Sequence, residues 1–324
     1  MPDDVRRPID YFLYYFDDEI LELLVEQSNL YAIQKSGKPL NLTIEELKTF
    51  LGIWLYMGVC SIPNLKDYWS TEMRVAQVAE CMSLKRFQRL CSHLHLSDNL
   101  DESEEVVNDR YRKVRPLIAH MQKKCRALDQ EERKSIDEVI ICYKGKFSSL
   151  KQYNPKKPTK WGFKAFALAG VSRIIYDLLF YSGATTFYEC NLTVEELAMG
   201  VGAKSVIALC KHITHPESSF VFFDNWFTSV SLLGYLRSEM DILAAGTIRK
   251  DRTQHCPFMP DKQLVKLGRG SMESFVNSDN AVCAVRWMDS KPVILASTIA
   301  GIEPKGHTKR WVQEGFVLCL RSFS

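Results

Sequence analysis

The apolar pattern of this chain changes its period near Lys134, and that change limits the folds open to it. Before this point apolar residues recur at helical spacing. Thr43-Ile44-Glu45-Glu46 has the composition of a capping box, which predicts a helix start. The predicted apolar face of this helix carries Leu47, Phe50, Leu51, Trp54 and Leu55. We expect the helix to end near Gly58.

Two further stretches before Lys134 have the same helical period. One begins near Ser83, and its stripe contains Leu84, Phe87, Leu90 and Leu94. The other runs from about Tyr111 to Leu128. The first 133 residues are therefore predicted to form a helical domain.

After Lys134 short β-branched and aromatic runs alternate with Gly, Pro and Ser. The predicted strands are Ser135–Tyr143, Lys164–Ala169, Ile174–Tyr181, Ser219–Phe223 and Ile242–Thr247. The predicted helices are Thr193–Lys211 and Thr228–Glu239. Three strands, a helix, a strand, a helix and a strand is the order of an RNase H-like core, in which the first and fourth strands are neighbours. The predicted class is a mixed α and β fold, with a helical N-terminal domain followed by a mixed-sheet core.

Two aspartates lie near the ends of the first and fourth predicted strands. Asp137 lies within Ser135–Ile141, and Asp224 directly follows Phe220–Phe223. Adjacent strands would bring their carboxylates together, and Mg²⁺ prefers hard oxygen ligands of this kind. Two Mg²⁺ ions roughly 3.5–4 Å apart support phosphodiester cleavage and strand transfer. A single Asp at a strand end is more often a cap or an ion-pair partner, and that alternative remains open.

The distribution of charge is more informative than the net charge of +3. Residues 139–176 contain no Asp or Glu. The eight basic residues of this segment are Lys144, Lys146, Lys151, Lys156, Lys157, Lys160, Lys164 and Arg173. Aromatic residues and prolines interleave with them, which favours contact with a phosphate backbone. A plain solvated face is the alternative.

Composition excludes several other classes. No apolar run is long enough to cross a bilayer, and the N-terminus lacks a secretory apolar stretch. The ten cysteines form no CxxC pair, so we expect reduced thiols in an intracellular protein without a zinc site or a membrane partner.

The order of motifs resembles the piggyBac-type DDE transposases. The segments that carry the resemblance in the N-terminal half are Gly52–Gly58, Asp67–Ser70 and Phe87–Asn99. In the C-terminal half they are Ile136–Glu138, Tyr143–Lys146, Tyr153–Lys164, Phe223–Ser229 and Gly246–Arg249.

The resemblance implies a domain order and a set of site residues. Residues 1–8 form a tail, residues 9–133 a helical dimerisation and DNA-binding domain, and residues 134–324 a catalytic-type domain. An insertion is expected at about 251–300, with Gly268–Ser271 as its turn. Asp137 and Asp224 correspond to the first two catalytic, metal-binding aspartates. The positions implied to contact double-stranded DNA are Lys144, Lys146, Lys156, Lys157, Lys160, Arg249 and Arg252. Mg²⁺, a nuclear location and a homodimer follow from the same resemblance.

One departure from the family pattern changes the expected function. The family's third Asp, in a Gly-Gly-Val-Asp type motif on a later helix, has no counterpart here, and residues 312–324 resemble none of the family sequence. We therefore expect a C-terminally truncated, transposase-derived DNA-binding protein that is inactive in strand transfer. A nuclease that recruits Glu138 or Glu303 as the missing ligand is one alternative. A structural or protein-interaction module without DNA contacts is another.

Overall fold

The structure is a computed structural model. It describes residues 7–101, 103, 109–146, 149–155, 157–279, 281–303, 305–312 and 315–322, with the backbone alone in the last two ranges. The chain divides into two compact units, Met1–Lys124 and Cys125–Ser324. In the part of the chain that is described, no helix combines the length and the apolar character needed to cross a bilayer.

The described part of the first unit is helical. Its helices are α1 (Pro8–Tyr15), α2 (Asp18–Ser36), α3 (Ile44–Val59), α4 (Ala76–Ala79), α5 (Leu84–His93) and α6 (Arg115–Arg126), the last two residues of which belong to the second unit. The core between them includes Leu21, Leu47, Phe50, Phe87 and Leu90. The sequence predicted α3, α5 and α6.

The start of α3 differs in one respect from the predicted capping box. The Thr43 hydroxyl accepts the Glu46 N–H at 3.2 Å, as expected. The Glu46 carboxylate, however, binds the Arg86 guanidinium at 2.6 and 2.5 Å. A long-range ion pair therefore takes the acid that a capping box would use.

The buried face of α3 is narrower than its apolar face. Leu47, Phe50 and Leu51 are buried as predicted. Trp54 and Leu55, which the sequence places on the same apolar face, are 45% and 57% exposed. The Trp54 ring lies at the edge of the core, 4.9 Å from the Phe50 ring.

A mixed sheet forms the centre of the second unit. Its strands are β1 (Arg133–Cys142), β2 (Gln152–Tyr153), β3 (Trp161–Gly170), β4 (Ile175–Phe180), β5 (Phe220–Phe223), β6 (Leu243–Thr247), β7 (Met272–Asn277), β8 (Val282–Met288) and β9 (Pro292–Ser297). The spatial order is β2-β3-β1-β5-β6-β9-β8-β7, with β4 also paired to β3. The predicted adjacency of the first and fourth core strands is confirmed, because β1 and β5 are parallel neighbours.

The helices of this unit are α7 (Val194–Ala198), α8 (Val201–Cys210), α9 (Val230–Met240) and α10 (Asp261–Leu267). The sequence predicted one helix over Thr193–Lys211, but the chain forms two there. Met199, the residue after α7, has ψ 161°, and Gly200, the residue before α8, has ψ 157°. These extended residues interrupt the helical hydrogen bonds between α7 and α8.

Side chains alternate between the two faces of this sheet. On what we call the covered face, Ile136, Phe166, Leu168 and Phe223 pack in one core with apolar residues of α8 and α9. On what we call the open face, β1 carries Ser135, Asp137, Val139 and Ile141, and β5 carries Phe222. Ile141 and Phe222 are 39% and 40% exposed.

The predicted insertion adds strands to the same sheet. It contains α10 and strands β7 to β9, and β9 returns to pair antiparallel with β6. Gly268 and Gly270 have φ of 86° and 92°, which fits the predicted turn between α10 and β7. Strands β10 (Lys305–Val312) and β11 (Gly315–Ser322) form a separate antiparallel pair.

Candidate metal and nucleic-acid site

The pairing register places the two predicted aspartates directly after paired residues of neighbouring parallel strands. Ile136 of β1 lies opposite Phe223 of β5, so Asp137 and Asp224 follow one residue later on neighbouring parallel strands. Adjacent strands are about 4.8 Å apart. Both aspartates are exposed; Asp137 lies on the open face, opposite in orientation to the buried Ile136, and Asp224 is the first residue after β5, next to the buried Phe223.

Backbone hydrogen bonds fix one oxygen of each carboxylate. Oδ1 of Asp137 accepts the N–H of Glu138 at 2.7 Å. Oδ1 of Asp224 accepts the N–H of Trp226 at 2.8 Å. Among the described residues, neither carboxylate forms an ion pair. The second oxygen of each aspartate is thus available to a ligand, and two hard oxygen donors fit Mg²⁺, which proteins commonly hold with one or two carboxylates and waters.

The turn after Asp224 is held tightly. The Asp224 carbonyl accepts the Thr228 hydroxyl at 2.7 Å and the Thr228 N–H at 3.2 Å. Glycines allow this turn to approach its neighbours: a Cβ on Gly246 would clash with the Phe223 carbonyl oxygen, and one on Gly202 would lie 2.9 Å from the Trp226 carbonyl oxygen. This packing sets the position at which Asp224 leaves β5.

Two aromatic residues after Asp224 serve the core. Phe227 is 1% exposed, and the Trp226 ring stacks on Phe166 with centroids 5.5 Å apart. The Lys164 Nζ lies 4.4 Å from the Trp226 ring centroid. Packing, rather than ligand contact, is the role that these two rings have in the structure.

Glu138 does not complete the pair. It lies on the covered face, because it follows Asp137 directly in a strand and side chains alternate. Its carboxylate forms an ion pair with Lys164 at 2.5 Å. The structure therefore does not favour Glu138 as a third ligand of this pair. Glu303 is exposed beyond β9.

A separate acidic cluster lies in the first unit. Potential ligand atoms of Asp17, Glu19 and His120 lie within 4.8 Å of one another. Among the described residues, no other group of three or more His, Cys, Asp or Glu side chains meets this distance. Lys124 already binds Asp17 at 2.6 Å, and Lys123 binds Glu19 at 3.0 Å. This cluster shares no residue with the Asp137–Asp224 pair, and its carboxylates are already neutralised by lysines.

The predicted DNA-contacting arginines reach the turn after Asp224. Arg252 Nη1 donates to the carbonyl oxygens of Trp226 at 2.8 Å and Thr228 at 3.3 Å. Arg249 Nε donates to Asn225 Oδ1 at 3.4 Å and is exposed. Arg252 thus supports the turn, while Arg249 presents positive charge beside it.

The predicted lysines lie around one hairpin, which we call the basic hairpin and which comprises residues 143–161. Lys144, Lys146 and Lys160 are exposed, and Lys157 is partly exposed. Lys156 lies outside the described residues. The hairpin follows directly from β1, so the lysines extend from the strand that carries Asp137. Its tip is closed by the bond from the Asn154 N–H to the Lys160 carbonyl at 2.7 Å.

Comparison with solved structures identifies the fold. The chain is similar to a piggyBac transposase in a cryo-EM synaptic complex with hairpin DNA, with a TM-score of 0.77 and 22% identity. The similarity covers 91% of this chain and 61% of that chain. At this level of identity the similarity establishes the fold alone: a helical N-terminal region followed by a mixed-sheet core.

Sequence comparisons establish the family. A family model described as "Transposase IS4" matches residues 7–317, so the expectation that none of residues 312–324 resembles the family was wrong for residues 312–317. The chain therefore belongs to the piggyBac group of DDE transposases. It is 34% identical to human PiggyBac transposable element-derived protein 3 over 96% of its own length, and 33% identical to human PiggyBac transposable element-derived protein 2 over 94%. It spans 51% and 50% of those two proteins, about half of each.

Proposed function

We propose that this chain binds double-stranded DNA through its basic hairpin and holds a divalent cation at Asp137 and Asp224, without performing strand transfer by itself. The main support is one arrangement: two exposed carboxylates that follow paired residues of neighbouring parallel strands, with a lysine-rich hairpin continuing from the strand of Asp137. The structurally similar piggyBac transposase forms a synaptic complex with hairpin DNA, which is consistent with this partner.

The cation would supply activation of an attacking oxygen and stabilisation of a leaving oxyanion. The residues of this chain orient its ligands, because the backbone N–H groups of Glu138 and Trp226 fix one oxygen of each aspartate. The resemblance implies three carboxylates, whereas the described residues gather two here. Loss of one member of a catalytic unit removes most of its activity, which favours binding over strand transfer.

A salt titration with matched lysine variants tests the DNA partner. Fluorescence anisotropy with a labelled duplex should give an affinity that falls steeply with salt. Replacing Lys157 and Lys160 by glutamine should weaken binding and reduce the salt slope by about 2, one for each phosphate contact. The control replaces Lys262 and Lys266, which are exposed on α10, and removes the same charge. Equal effects of the two double variants would contradict a specific role for the hairpin.

Cation binding is tested separately. Titration with Mn²⁺, followed by electron paramagnetic resonance, should show a bound ion in the unaltered chain. Asp137→Asn and Asp224→Asn should each abolish or strongly weaken it, while Asp251→Asn, at an exposed carboxylate elsewhere, should not. Retained binding in both site variants would reject the pair as ligands.

Two further observations complete the test. Incubation with transposon-end and target DNA in Mg²⁺ should give no joined product, and a joined product would overturn the proposed inactivity. A DNA partner also implies a nuclear protein, which microscopy of the tagged chain in cultured cells tests directly.

A further inference from the structure

The basic hairpin exposes two large aromatic rings side by side. Tyr153 and Trp161 are directly opposite each other in the pairing of β2 with β3, and they are 51% and 49% exposed. Their ring centroids are 4.8 Å apart. Residues of this size usually bury most of their surface, so two half-exposed neighbouring rings among lysines suggest contact with a ligand.

A third ring extends this pair onto the open face. The Tyr143 N–H donates to the Trp161 carbonyl at 3.3 Å, so the pairing of β1 with β3 continues to these two residues. Tyr143 lies six residues after Asp137, and alternation therefore places both on the same face. The Tyr143 ring packs against Phe163, with centroids 4.7 Å apart. The three rings thus lie at the end of the face that carries Asp137.

Close backbone and side-chain contacts lie beside the Trp161 ring. A Cβ on Gly162 would clash with the Ile141 carbonyl oxygen, so β3 approaches β1 closely beside Trp161. Lys151 Nζ donates to the Gly145 carbonyl at 3.0 Å and lies 4.7 Å from the Trp161 ring centroid. Ordering the rings before a ligand arrives reduces the entropy that binding must overcome.

The chemistry of this surface selects among ligands. Contact with the phosphate backbone of a fully paired duplex depends mainly on cations and needs no exposed aromatic ring. Exposed ring faces combined with cations are the features that bind unpaired bases, because every base has a face that stacks on an aromatic ring. Acidic residues, which would repel phosphates, are absent from residues 139–176 of the sequence.

We propose that Tyr153 and Trp161 form a stacking site for an unpaired nucleobase, so that this chain prefers DNA containing unpaired bases to a fully paired duplex. The proposal rests on the proposed function, because it specifies which DNA the basic hairpin selects. Tyr143 lies six residues after Asp137, and six residues of extended strand span about 20 Å. This length corresponds to about six base-pair steps of a DNA duplex, at 3.4 Å each.

The test compares three DNAs of equal length and charge. They are a paired duplex, the same duplex with a central bubble of mismatched thymines, and the bubble with abasic sites at those positions. Anisotropy with the unaltered chain should show tighter binding to the bubble than to the duplex, by about 5- to 150-fold for one stacked base. The abasic bubble should lose this preference, because it keeps the phosphates and removes the ring faces.

Variants assign the preference to the two rings. Trp161→Leu and Tyr153→Leu should each reduce the ratio of bubble affinity to duplex affinity. Trp161→Phe should retain part of it. Tyr188→Leu is the control, since Tyr188 is 76% exposed elsewhere in the same unit. Circular dichroism and thermal unfolding should confirm that each variant is folded.

The outcomes separate this proposal from the function on which it rests. Absence of binding to all three DNAs would reject DNA binding itself. Duplex binding with no preference for the bubble, or a preference that survives in Trp161→Leu and Tyr153→Leu, would reject the stacking site alone. Tighter binding to an RNA strand of the bubble sequence than to the bubble would also overturn the proposal.

Discussion

The two faces of the central sheet have opposite properties, although the same strands supply both. On the covered face, Ile136 and Phe166 are 1% and 0% exposed and pack under α8 and α9. On the open face, Asp137 is exposed and Phe222 is 40% exposed. Successive residues of one strand thus contribute to stability and to a charged surface in turn. Substitutions on the two faces should therefore separate folding from binding.

The largest expected difference is between two phenylalanines on opposite faces. Phe166→Ala should reduce the free energy of unfolding by about 3–5 kcal/mol, because it leaves a cavity beside Trp226 and Phe227. Phe222→Ala should reduce it by less than about 1 kcal/mol, since the ring is already largely solvated. Urea unfolding measures both changes. Equal losses would show that the open face is packed as tightly as the covered face.

A smaller effect is expected where β3 approaches β1 most closely. Gly162→Ala should destabilise the chain by about 1–3 kcal/mol, because the added Cβ meets the Ile141 carbonyl oxygen and forces the strands to shift. Gly52→Ala in α3 is the control: a Cβ there meets nothing within 4 Å, and alanine should stabilise the helix by about 0.5–1 kcal/mol. Thermal unfolding of both variants tests the prediction. A neutral Gly162→Ala would mean that the two strands separate readily at this point.

The order of the core strands and helices along the chain was predictable from the sequence, because each core strand has its own local signal. That order matches an RNase H-like core, in which β1 and β5 are neighbours, and this adjacency brings Asp137 and Asp224 near each other. Side chains alternate along a strand, so the sequence already indicated that Glu138 points away from Asp137. The hypothesis of Glu138 as a third ligand did not take this alternation into account.

Other features depend on contacts between distant residues, and the local pattern does not contain them. The pairing of β9 with β6 is antiparallel and joins strands that α10, β7 and β8 separate along the chain. The Glu46 carboxylate binds the Arg86 guanidinium, which is 40 residues away in the sequence. The exposure of Trp54 depends on which elements pack against α3, and the pairing of Tyr153 with Trp161 depends on the geometry of the hairpin turn.

Neighbouring acids on β1 provide a sharper comparison of the faces. Glu138 and Lys164 have side chains 21% and 14% exposed and form an ion pair, whereas Asp137 is exposed. A double-mutant cycle with Glu138→Gln and Lys164→Met should give a coupling energy of about 1–2 kcal/mol. Asp137→Asn should change stability by no more than about 0.5 kcal/mol. A coupling energy near zero would show that solvent screens the pair despite its partial burial.

The smallest predicted effect concerns the helices that cover the sheet, and it is a change in how the free energy of unfolding depends on pH. Burial acts to raise the pKa of Glu196, but hydrogen bonds from the Lys211 side chain, the Thr193 N–H and the Tyr235 hydroxyl outweigh it and lower that pKa. The folded state thus favours the ionised carboxylate. Its stabilisation is complete above the ordinary carboxyl pKa of about 4.3 and is lost as pH falls through the lowered folded value.

Glu196→Gln removes this titration, so the variant should lose less stability than the unaltered chain between pH 7 and pH 3. Glu195→Gln is the matched control, because Glu195 is exposed in the same turn of α7. Urea unfolding at a series of pH values measures the difference between the two variants. Parallel pH profiles for Glu196→Gln and Glu195→Gln would mean that the bonds joining α7 to Lys211 and Tyr235 do not depend on the charge of Glu196. In that case apolar packing alone would hold the helical layer on the covered face.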